Sequence, residues 1–299
     1  MSMTWSDFNQ QVIFYEILIF NVVGHFGNFH ILYITYRFPK LRAKSAYLQC
    51  ILSVFHSLCL LSTLANALFI LFDMNFTRRQ CYPILAPYIF CICAQAVLML
   101  VLPSDILFAI LFPHKYRNIG TFKYIVVMMI GPVIYSTFFM VWGFVKMDDD
   151  PIDFCNPPTG LHPTVTKNWM MSNVFINSVV LALFIFLILM VKIRGDAIRK
   201  ERKKRVVRRL LVLMGIFICS WYICMAGVFM TLLSFQGLRQ GVIHANFIIF
   251  ALICYSQSFY VIIWRSKEHR AAFFHIWNID RPTSQYTTSS GSNPKDSFL

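Results

Sequence analysis

Long apolar runs dominate this chain and alternate with short polar segments. The runs occupy residues 12–36, 47–72, 83–111, 124–145, 169–191, 206–234 and 242–264. About 20 helical residues cross the ~30 Å hydrocarbon core of a bilayer, so each run is long enough to span it. The pattern predicts an all-α membrane protein, a seven-transmembrane helix bundle over residues 12–264, preceded by a short N-terminal segment at 1–11.

The pattern changes after the last run. In residues 265–278, apolar side chains recur at helical spacing among basic ones: Ala272, Phe273, Ile276 and Trp277. This spacing predicts an amphipathic helix lying on an anionic membrane surface. The polar, Ser- and Thr-rich segment 279–299 cannot bury apolar surface, and we expect it to be disordered.

Composition supports a membrane protein, and the charge distribution gives its orientation. Only 13% of the residues are charged, against about 25% in soluble domains. If the N-terminus is extracellular, the cytosolic segments hold 22 of the 27 Lys and Arg residues. The positive-inside rule therefore predicts an extracellular N-terminus and a cytosolic C-terminus. Because the basic residues follow topology, the net charge of +14 does not indicate nucleic-acid binding.

Nine cysteines are present, and seven of them fall inside the predicted spans. Cys81 and Cys155 lie on the expected extracellular side, where an oxidising environment favours disulfides. We therefore expect one disulfide between them.

No pattern indicates an enzyme. The sequence contains no HExxH, GxSxG, P-loop or GxGxxG motif. Histidines and carboxylates do not pair at metal-ligand spacing within any one span. We expect no catalytic residue, metal or cofactor.

Residues 104–117, SDILFAILFPHKYR, match most of a signalling motif of G-protein-coupled receptors. The superfamily pattern D-R-Y-x-A-I-x-x-P-x-x-Y is met at Asp105, Ala109, Ile110, Pro113 and Tyr116. Ile106 stands where the arginine is expected, and the residue 25 positions before it is Cys81, where the superfamily places its disulfide cysteine.

Other superfamily motifs are partly present. A GN pair occupies residues 27–28, and the sixth-span F-x-x-x-W motif appears as Phe217 and Trp221. Ile223 stands where that motif continues with proline. Of the seventh-span N-P-x-x-Y motif, only Tyr260 remains.

Four longer stretches narrow the resemblance. They are LRAKSAYL at 41–48, PHKY at 113–116, CNPP at 155–158 and YVIIWRSKEHRAAF at 260–273. With these stretches, residues 20–277 resemble the nematode serpentine chemoreceptors of class Sx, within the rhodopsin-like receptors.

The resemblance implies a chemosensory receptor in the plasma membrane of sensory neurons, in contact with membrane lipids. Such a receptor binds a small molecule or peptide at the outer helix ends and signals through a heterotrimeric G protein. The absent arginine and sixth-span proline leave an alternative open, a seven-span subunit, decoy or trafficking partner that does not couple. The apolar midplane disfavours a transporter or channel.

Several polar residues are expected near the outer third of the bundle, where a ligand pocket would open. These are Tyr88, Asn173, Asn177, His244 and Asn246. Each is also a common packing residue. Tyr88 occupies the position of the aspartate that binds biogenic amines in related receptors, so a simple amine ligand is disfavoured.

His56 falls where most related receptors carry the aspartate of a sodium site, and an imidazole predicts no such site. We expect a helix-packing hydrogen bond between His56 and the region of Asn28; a static core histidine is the alternative. Gly27 is expected to allow close helix approach. Asn75 begins a glycosylation sequon that lies too near the bilayer for easy modification.

The resemblance assigns activation and coupling to one set of residues: Asp105, Ile106, Pro113, Tyr116, Phe217, Trp221 and Tyr260. Without the arginine, we expect Asp105 to restrain the resting state through Lys115, Arg117 or the basic loop 192–209. Residues 198–209 are expected to form part of the transducer-binding surface.

Overall fold

The computed structural model describes residues 5–72, 74, 76–152, 155–193, 211–234 and 238–278. Within these residues, seven helices are long and apolar enough to cross a membrane. The first to seventh spans are Trp5–Arg37, Lys44–Leu71, Arg78–Leu111, Thr121–Lys146, Pro163–Ile193, 211–234 and Leu238–Arg265. The seven-helix bundle predicted from the apolar runs is therefore confirmed.

Short elements mark the two ends of the bundle. One end, the disulfide end, carries the Cys81–Cys155 disulfide, the strands Phe76–Thr77 and Pro151–Ile152, and a helical turn at Pro157–Gly160. The other end, the tail end, carries the 3-10 turn Pro39–Leu41 and the helices Pro113–Asn118 and Lys267–Ile276. Residues 1–4, the sequon residue Asn75 and the tail 279–299 lie outside the described residues.

The third span begins five residues before the apolar run that predicted it. Thr77 caps the helix by accepting a hydrogen bond from the Gln80 backbone N–H, and the Gln80 side chain accepts from the Thr77 N–H. This reciprocal capping box satisfies two of the free N–H groups at the helix start. Capping therefore extends the helix through the polar residues that precede the run.

The loop between the fourth and fifth spans lies across the start of the third span. The two short strands pair antiparallel, with Phe76 opposite Ile152. Arg78 pairs with Asp148, and Arg79 Nε lies 2.7 Å from Asp149 Oδ1. The predicted disulfide between the third span and this loop is confirmed.

The third span is the most buried of the seven. In its most apolar window 67% of the residues are buried, against 17% in the fourth span. It packs on the second, fourth and fifth spans. This central position makes its polar residues the ones most removed from solvent and lipid.

Two glycines permit close helix contacts. A Cβ atom at Gly27 would lie 2.8 Å from Phe259 Cβ, so the first and seventh spans can approach only with glycine here. Gly143 lies against Tyr82 of the third span, whose hydroxyl donates to the Met140 carbonyl oxygen at 2.7 Å. That hydrogen bond holds the tyrosine where a Cβ at residue 143 would overlap it.

The amphipathic helix expected at 265–278 forms from Lys267 to Ile276 and is capped by Ser266. Trp277 Nε1 donates to His30 Nε2 of the first span at 3.2 Å. Phe26 and Phe273 surround this contact with edge-to-face rings. One hydrogen bond and an aromatic cluster therefore attach the short helix to the bundle.

Gly143→Ala is expected to lower the unfolding temperature because the added methyl group overlaps Tyr82, and overpacking costs about 1–3 kcal/mol. Gly131→Ala on the same fourth span is the matched control, since the nearest atom that its added Cβ would meet is Val97 Cγ1 of the third span, at an ordinary contact distance of 3.9 Å. Thermal unfolding in detergent measures both. Equal unfolding temperatures would contradict the packing described for Tyr82.

Trp277→Phe is expected to loosen the helix Lys267–Ile276, because phenylalanine keeps an aromatic ring but loses the N–H donor. Hydrogen exchange of residues 267–276 in lipid nanodiscs should be several-fold faster than in the wild type. Trp264→Phe is the control, since Trp264 is exposed and its ring contacts the Arg265 guanidinium of its own helix. Unchanged exchange in Trp277→Phe would show that the hydrogen bond does not attach the helix.

Candidate receptor sites at the two ends of the bundle

The carboxylate of Asp105 is buried near the tail end of the third span, with 1% of its surface exposed. Tyr124, one turn into the fourth span, donates its hydroxyl hydrogen to Asp105 Oδ1 at 2.7 Å. Tyr116 on the helix Pro113–Asn118 also interacts with this carboxylate. The proline at the start of that short helix has the φ angle that a first helical turn requires.

Lys44, the first residue of the second span, completes the arrangement. Its ammonium donates to the Tyr116 carbonyl oxygen and lies 4.3 Å from the Tyr116 ring centroid and 5.0 Å from that of Tyr124. It also interacts electrostatically with Asp105. We call Asp105, Lys44, Tyr116 and Tyr124 the Asp105 cluster.

The cluster corrects two of the three expected partners of Asp105. Neither Lys115 nor Arg117 neutralises it: both are exposed, and Lys115 Nζ lies 5.8 Å from the Phe112 ring instead. Successive residues of a helix point about 100° apart, so turning Tyr116 toward the bundle turns its two neighbours away. The loop residues 194–210, including the expected transducer surface at 198–209, lie outside the described residues.

Ile106 is buried beside the cluster and brings no charge to it. The groups around Asp105 come from the second span, the fourth span and the short helix. Burial and the neighbouring carboxylate raise the pKa of Tyr116, so its hydroxyl stays protonated. A hydroxyl donor and a nearby ammonium thus stand where the superfamily uses a neighbouring arginine.

The sixth span deforms near the position of the missing proline. Phe217 and Trp221 are buried, and residues Ile218–Tyr222 form a π-helical turn that ends before Ile223. Single π turns bend helices and often occur at functional sites. The Trp221 ring lies 5.8 Å from the Tyr255 ring of the seventh span.

Tyr260 lies apart from this region. It is 40% exposed, and its hydroxyl donates to the Val23 carbonyl oxygen of the first span at 2.8 Å. Pro113 begins the short helix and belongs to the surroundings of the Asp105 cluster. The seven residues expected to act in coupling therefore occupy three separate places in the bundle.

The hydrogen bond expected between His56 and the Asn28 region is absent among the described residues. Asn28 Nδ2 donates to the Tyr255 carbonyl oxygen at 3.2 Å, so its donor is already engaged. Both ring nitrogens of His56 are without a partner in the described part of the chain. The imidazole packs against the Tyr255 ring, with centroids 5.6 Å apart.

Toward the disulfide end, two buried amides share one face of the fifth span. Asn173 Nδ2 donates to the Trp169 carbonyl oxygen at 3.1 Å and to the Tyr135 hydroxyl oxygen at 3.4 Å. Its Oδ1 has no partner among the described residues, and neither do the two amide atoms of Asn177. Tyr88 is buried in the third span.

The other two residues expected to contact a ligand are Asn246 and His244. Asn246 is exposed, and the side chain of His244 lies outside the described residues. The structure therefore brings Asn173 and Asn177 to one face of the fifth span, with the Tyr135 hydroxyl beside Asn173, a neighbour that the sequence analysis missed.

Comparison with known proteins gives the family. The sequence profile described as "Serpentine type 7TM GPCR chemoreceptor Srsx" matches residues 21–277. The chain belongs to this receptor family. Among curated proteins, none matches the chain. Membership makes it a chemoreceptor-type membrane protein, and it agrees with the class inferred from the four sequence stretches.

Sequence reasoning missed Lys44 and Tyr124 in the Asp105 cluster. Lys44 stands at the start of an apolar span, where a buried ammonium is costly and needs a nearby partner. The position of Lys44 could therefore have predicted a nearby acidic partner. Tyr124 offered none, because a tyrosine at the start of a span is equally common as an interfacial residue.

Tyr124→Phe and Asp105→Asn are expected to be coupled, because the first removes the hydroxyl donor and the second removes the negative charge that strengthens the same hydrogen bond. Each should destabilise the protein by about 1.5–3 kcal/mol, and the double variant by less than the sum. Thermal unfolding of the four proteins measures the coupling. Tyr36→Phe, at an exposed tyrosine, should combine additively with Asp105→Asn; additivity in the Tyr124 pair as well would rule out the hydrogen bond.

Proposed function

We propose that this chain is a plasma-membrane chemoreceptor of sensory neurons that binds an external small molecule and signals through a heterotrimeric G protein. The family match over residues 21–277 carries the proposal. The disulfide end is extracellular and the tail end cytosolic in this proposal; the distribution of basic residues supports this orientation.

The ligand contacts Asn173 and Asn177 in this proposal. Their buried amide atoms without partners offer one NH2 group, with two N–H donors, and two carbonyl acceptors. A ligand that carries an acceptor and a donor, such as an amide or a hydroxy ketone, satisfies them. Because no charged side chain interacts with these amides in the described part of the chain, the matching ligand is uncharged.

The Asp105 cluster restrains the resting state. Its hydrogen bond and its cation join the third span to the fourth span, the second span and the short helix, all at the end that faces the G protein in this proposal. Ligand favours the active state only through a higher affinity for that state. The energy that the cluster contributes to the resting state is what ligand binding must overcome.

A receptor subunit or decoy that does not couple is the second candidate. The absence of the arginine at Ile106 and of the sixth-span proline at Ile223 favours it, because both belong to the signalling motifs of the superfamily. The Asp105 cluster offers a resting restraint in place of the arginine, and does not replace the proline.

Coupling is tested in cells that express the chain with a surface-epitope tag. A panel of uncharged odorants and soluble metabolites is applied, and cyclic nucleotides and calcium are recorded, with and without G-protein inhibitors. A response that requires both the chain and a G protein is expected. If the chain reaches the cell surface at normal density but gives no signal with any promiscuous Gα subunit, and Asp105→Asn gives none either, the decoy is favoured.

Asp105→Asn is expected to raise ligand-independent signalling several-fold, because the neutral amide loses the attraction of Lys44. The measurement is basal cyclic-nucleotide or calcium signal divided by surface expression. Ser104→Ala is the matched control, since the Ser104 hydroxyl donates only to the Leu100 carbonyl oxygen of its own helix. Equal basal signals in Asp105→Asn and Ser104→Ala would contradict the proposed restraint.

Asn177→Leu is expected to raise the half-maximal concentration of an active compound from that panel by about 10–100-fold, the equivalent of one or two buried hydrogen bonds. Leucine also removes an amide without a protein partner, so the unfolding temperature should not fall. Ser178→Ala, next to it and facing outward, should leave the response unchanged. Unaltered potency in Asn177→Leu would exclude this amide from the ligand site.

A further inference from the structure

One tyrosine hydroxyl joins the fourth and fifth spans. The oxygen of Tyr135, on the fourth span, lies 2.6 Å from Ser172 Oγ and accepts from Asn173 Nδ2 at 3.4 Å. Because Ser172 Oγ donates to the Trp169 carbonyl oxygen at 2.8 Å, the Tyr135 hydroxyl is the donor to Ser172. No other hydrogen bond joins the two spans in the part of the chain that the structure describes. We call Tyr135, Ser172 and Asn173 the Tyr135 seam.

The seam has a lipid-facing side and an interior side. Tyr135 and Ser172 are half-buried, whereas Asn173 is 0% exposed. Phe175, three residues after Ser172 and so on the same helix face, is 69% exposed. In the interior, Asn177 lies one turn beyond Asn173, and neither of its amide atoms has a partner among the described residues. The Tyr135 hydroxyl therefore stands between the bilayer and the two amides of the proposed ligand site.

The approach from water is covered at the disulfide end of the fifth span. Trp169, one turn from the seam, is 2% exposed, and Val165, one turn further out, is 0% exposed. Leu161 in the loop before this span is also buried. A Cβ atom at Gly160 would lie 3.0 Å from Cys81 Sγ, so this loop packs directly on the third span beside the disulfide. A molecule arriving from water along the fifth span must therefore displace a loop that is covalently attached.

Helix packing in a bilayer allows this seam to part. Lipid tails are as apolar as helix side chains, so separating two apolar helix surfaces in a bilayer carries no hydrophobic penalty. Packing and hydrogen bonds hold such helices together instead. The fourth span is the least buried of the seven, with 17% of its most apolar window buried, and it packs mainly on the third span. Its attachment to the fifth span therefore relies on the Tyr135 hydroxyl.

We propose that the Tyr135 seam is the entrance to the ligand site, and that it admits an uncharged small molecule dissolved in the bilayer. The inference rests on the proposed function, since it takes Asn173 and Asn177 as the ligand contacts. As the molecule parts the two spans, its hydrogen-bond acceptor replaces Ser172 as the partner of the Tyr135 hydroxyl. Asn177 Nδ2 is the next donor along the path. Carrying a charge through hydrocarbon is very costly, so apolar ketones, esters and lactones fit this route and ions do not.

Photolabelling in lipid nanodiscs tests the entrance. An uncharged aryl diazirine dissolves in the bilayer; light expels N₂, and the carbene inserts into a neighbouring C–H, N–H or O–H bond. Adducts at Asn173 and Asn177 are measured by peptide mass spectrometry and normalised to those at the lipid-facing Phe175. Asn28 of the first span, also 0% exposed, is the interior control. We expect more adduct on the two amides than on Asn28; equal adduct would overturn the proposal.

Variants of the seam give a second measurement. Tyr135→Phe and Ser172→Ala each remove one hydroxyl of the contact, and each should raise the adducts at Asn173 about 2- to 10-fold, the factor that one neutral hydrogen bond is worth. Ser178→Ala is the matched control, because it removes a hydroxyl contact of the same helix with the sixth span, to Tyr222 at 3.4 Å. This control should keep wild-type labelling. An equal increase in all three variants would show general loosening and overturn the assignment to Tyr135.

A charged probe tests the side of entry. An aryl diazirine with a trimethylammonium group carries the same reactive centre but stays in water, and it should label Asn173 and Asn177 no more than Asn28. Labelling of the two amides as fast as with the uncharged probe would assign the entrance to the aqueous side and overturn the proposal. These measurements need neither an agonist nor a G protein, so their failure is distinct from failure of the proposed function.

Discussion

A carboxylate buried among apolar helices must be offset by hydrogen bonds and an opposite charge, and Asp105 imposes this requirement on the tail end of the bundle. The cost of an unpaired charge in such an interior is several kcal/mol. The structure meets it with the Tyr124 hydroxyl, the Tyr116 side chain and the ammonium of Lys44. Three elements besides the third span must therefore converge on one point.

The third span is held differently along its length. At the disulfide end, a capping box, ion pairs and a disulfide attach it to the loop 147–155. In its middle the contacts are mainly apolar, and at the tail end the Asp105 cluster attaches it again. In the described part of the chain, the sixth span makes single polar contacts at Tyr222 and Cys224 and contains a π turn. The bundle thus combines a firmly attached central helix with a neighbour held mainly by apolar packing.

The sequence predicted the features that follow from bulk transfer energies. The seven runs of apolar residues predicted seven helices. The disulfide was predicted because Cys81 and Cys155 lie on the side expected to be oxidising. These predictions need no knowledge of side-chain direction. The family resemblance was equally accessible, because it depends on short stretches of sequence.

The side-chain contacts that the sequence did not predict depend on how each helix is rotated about its axis. Lys115 and Tyr116 are adjacent in the chain, and only the rotation of a six-residue helix decides which of them reaches Asp105. The same holds for His56, which packs beside Tyr255 and not with Asn28. Because Thr77 caps the third span, that helix begins among polar residues, which hydropathy alone would place outside it. Each difference arises from a specific hydrogen bond, whose energy is small against that of an entire span.

The contact between Trp277 and His30 has a chemical consequence of its own. An indole N–H can only donate, so His30 Nε2 must carry a lone pair. His30 Nδ1 lies 2.7 Å from the Phe26 carbonyl oxygen, and that nitrogen therefore bears the hydrogen. This fixes a single neutral tautomer. A hydrogen on Nε2 would face the indole donor, so this hydrogen bond between the last helix and the first span selects the tautomer with its hydrogen on Nδ1.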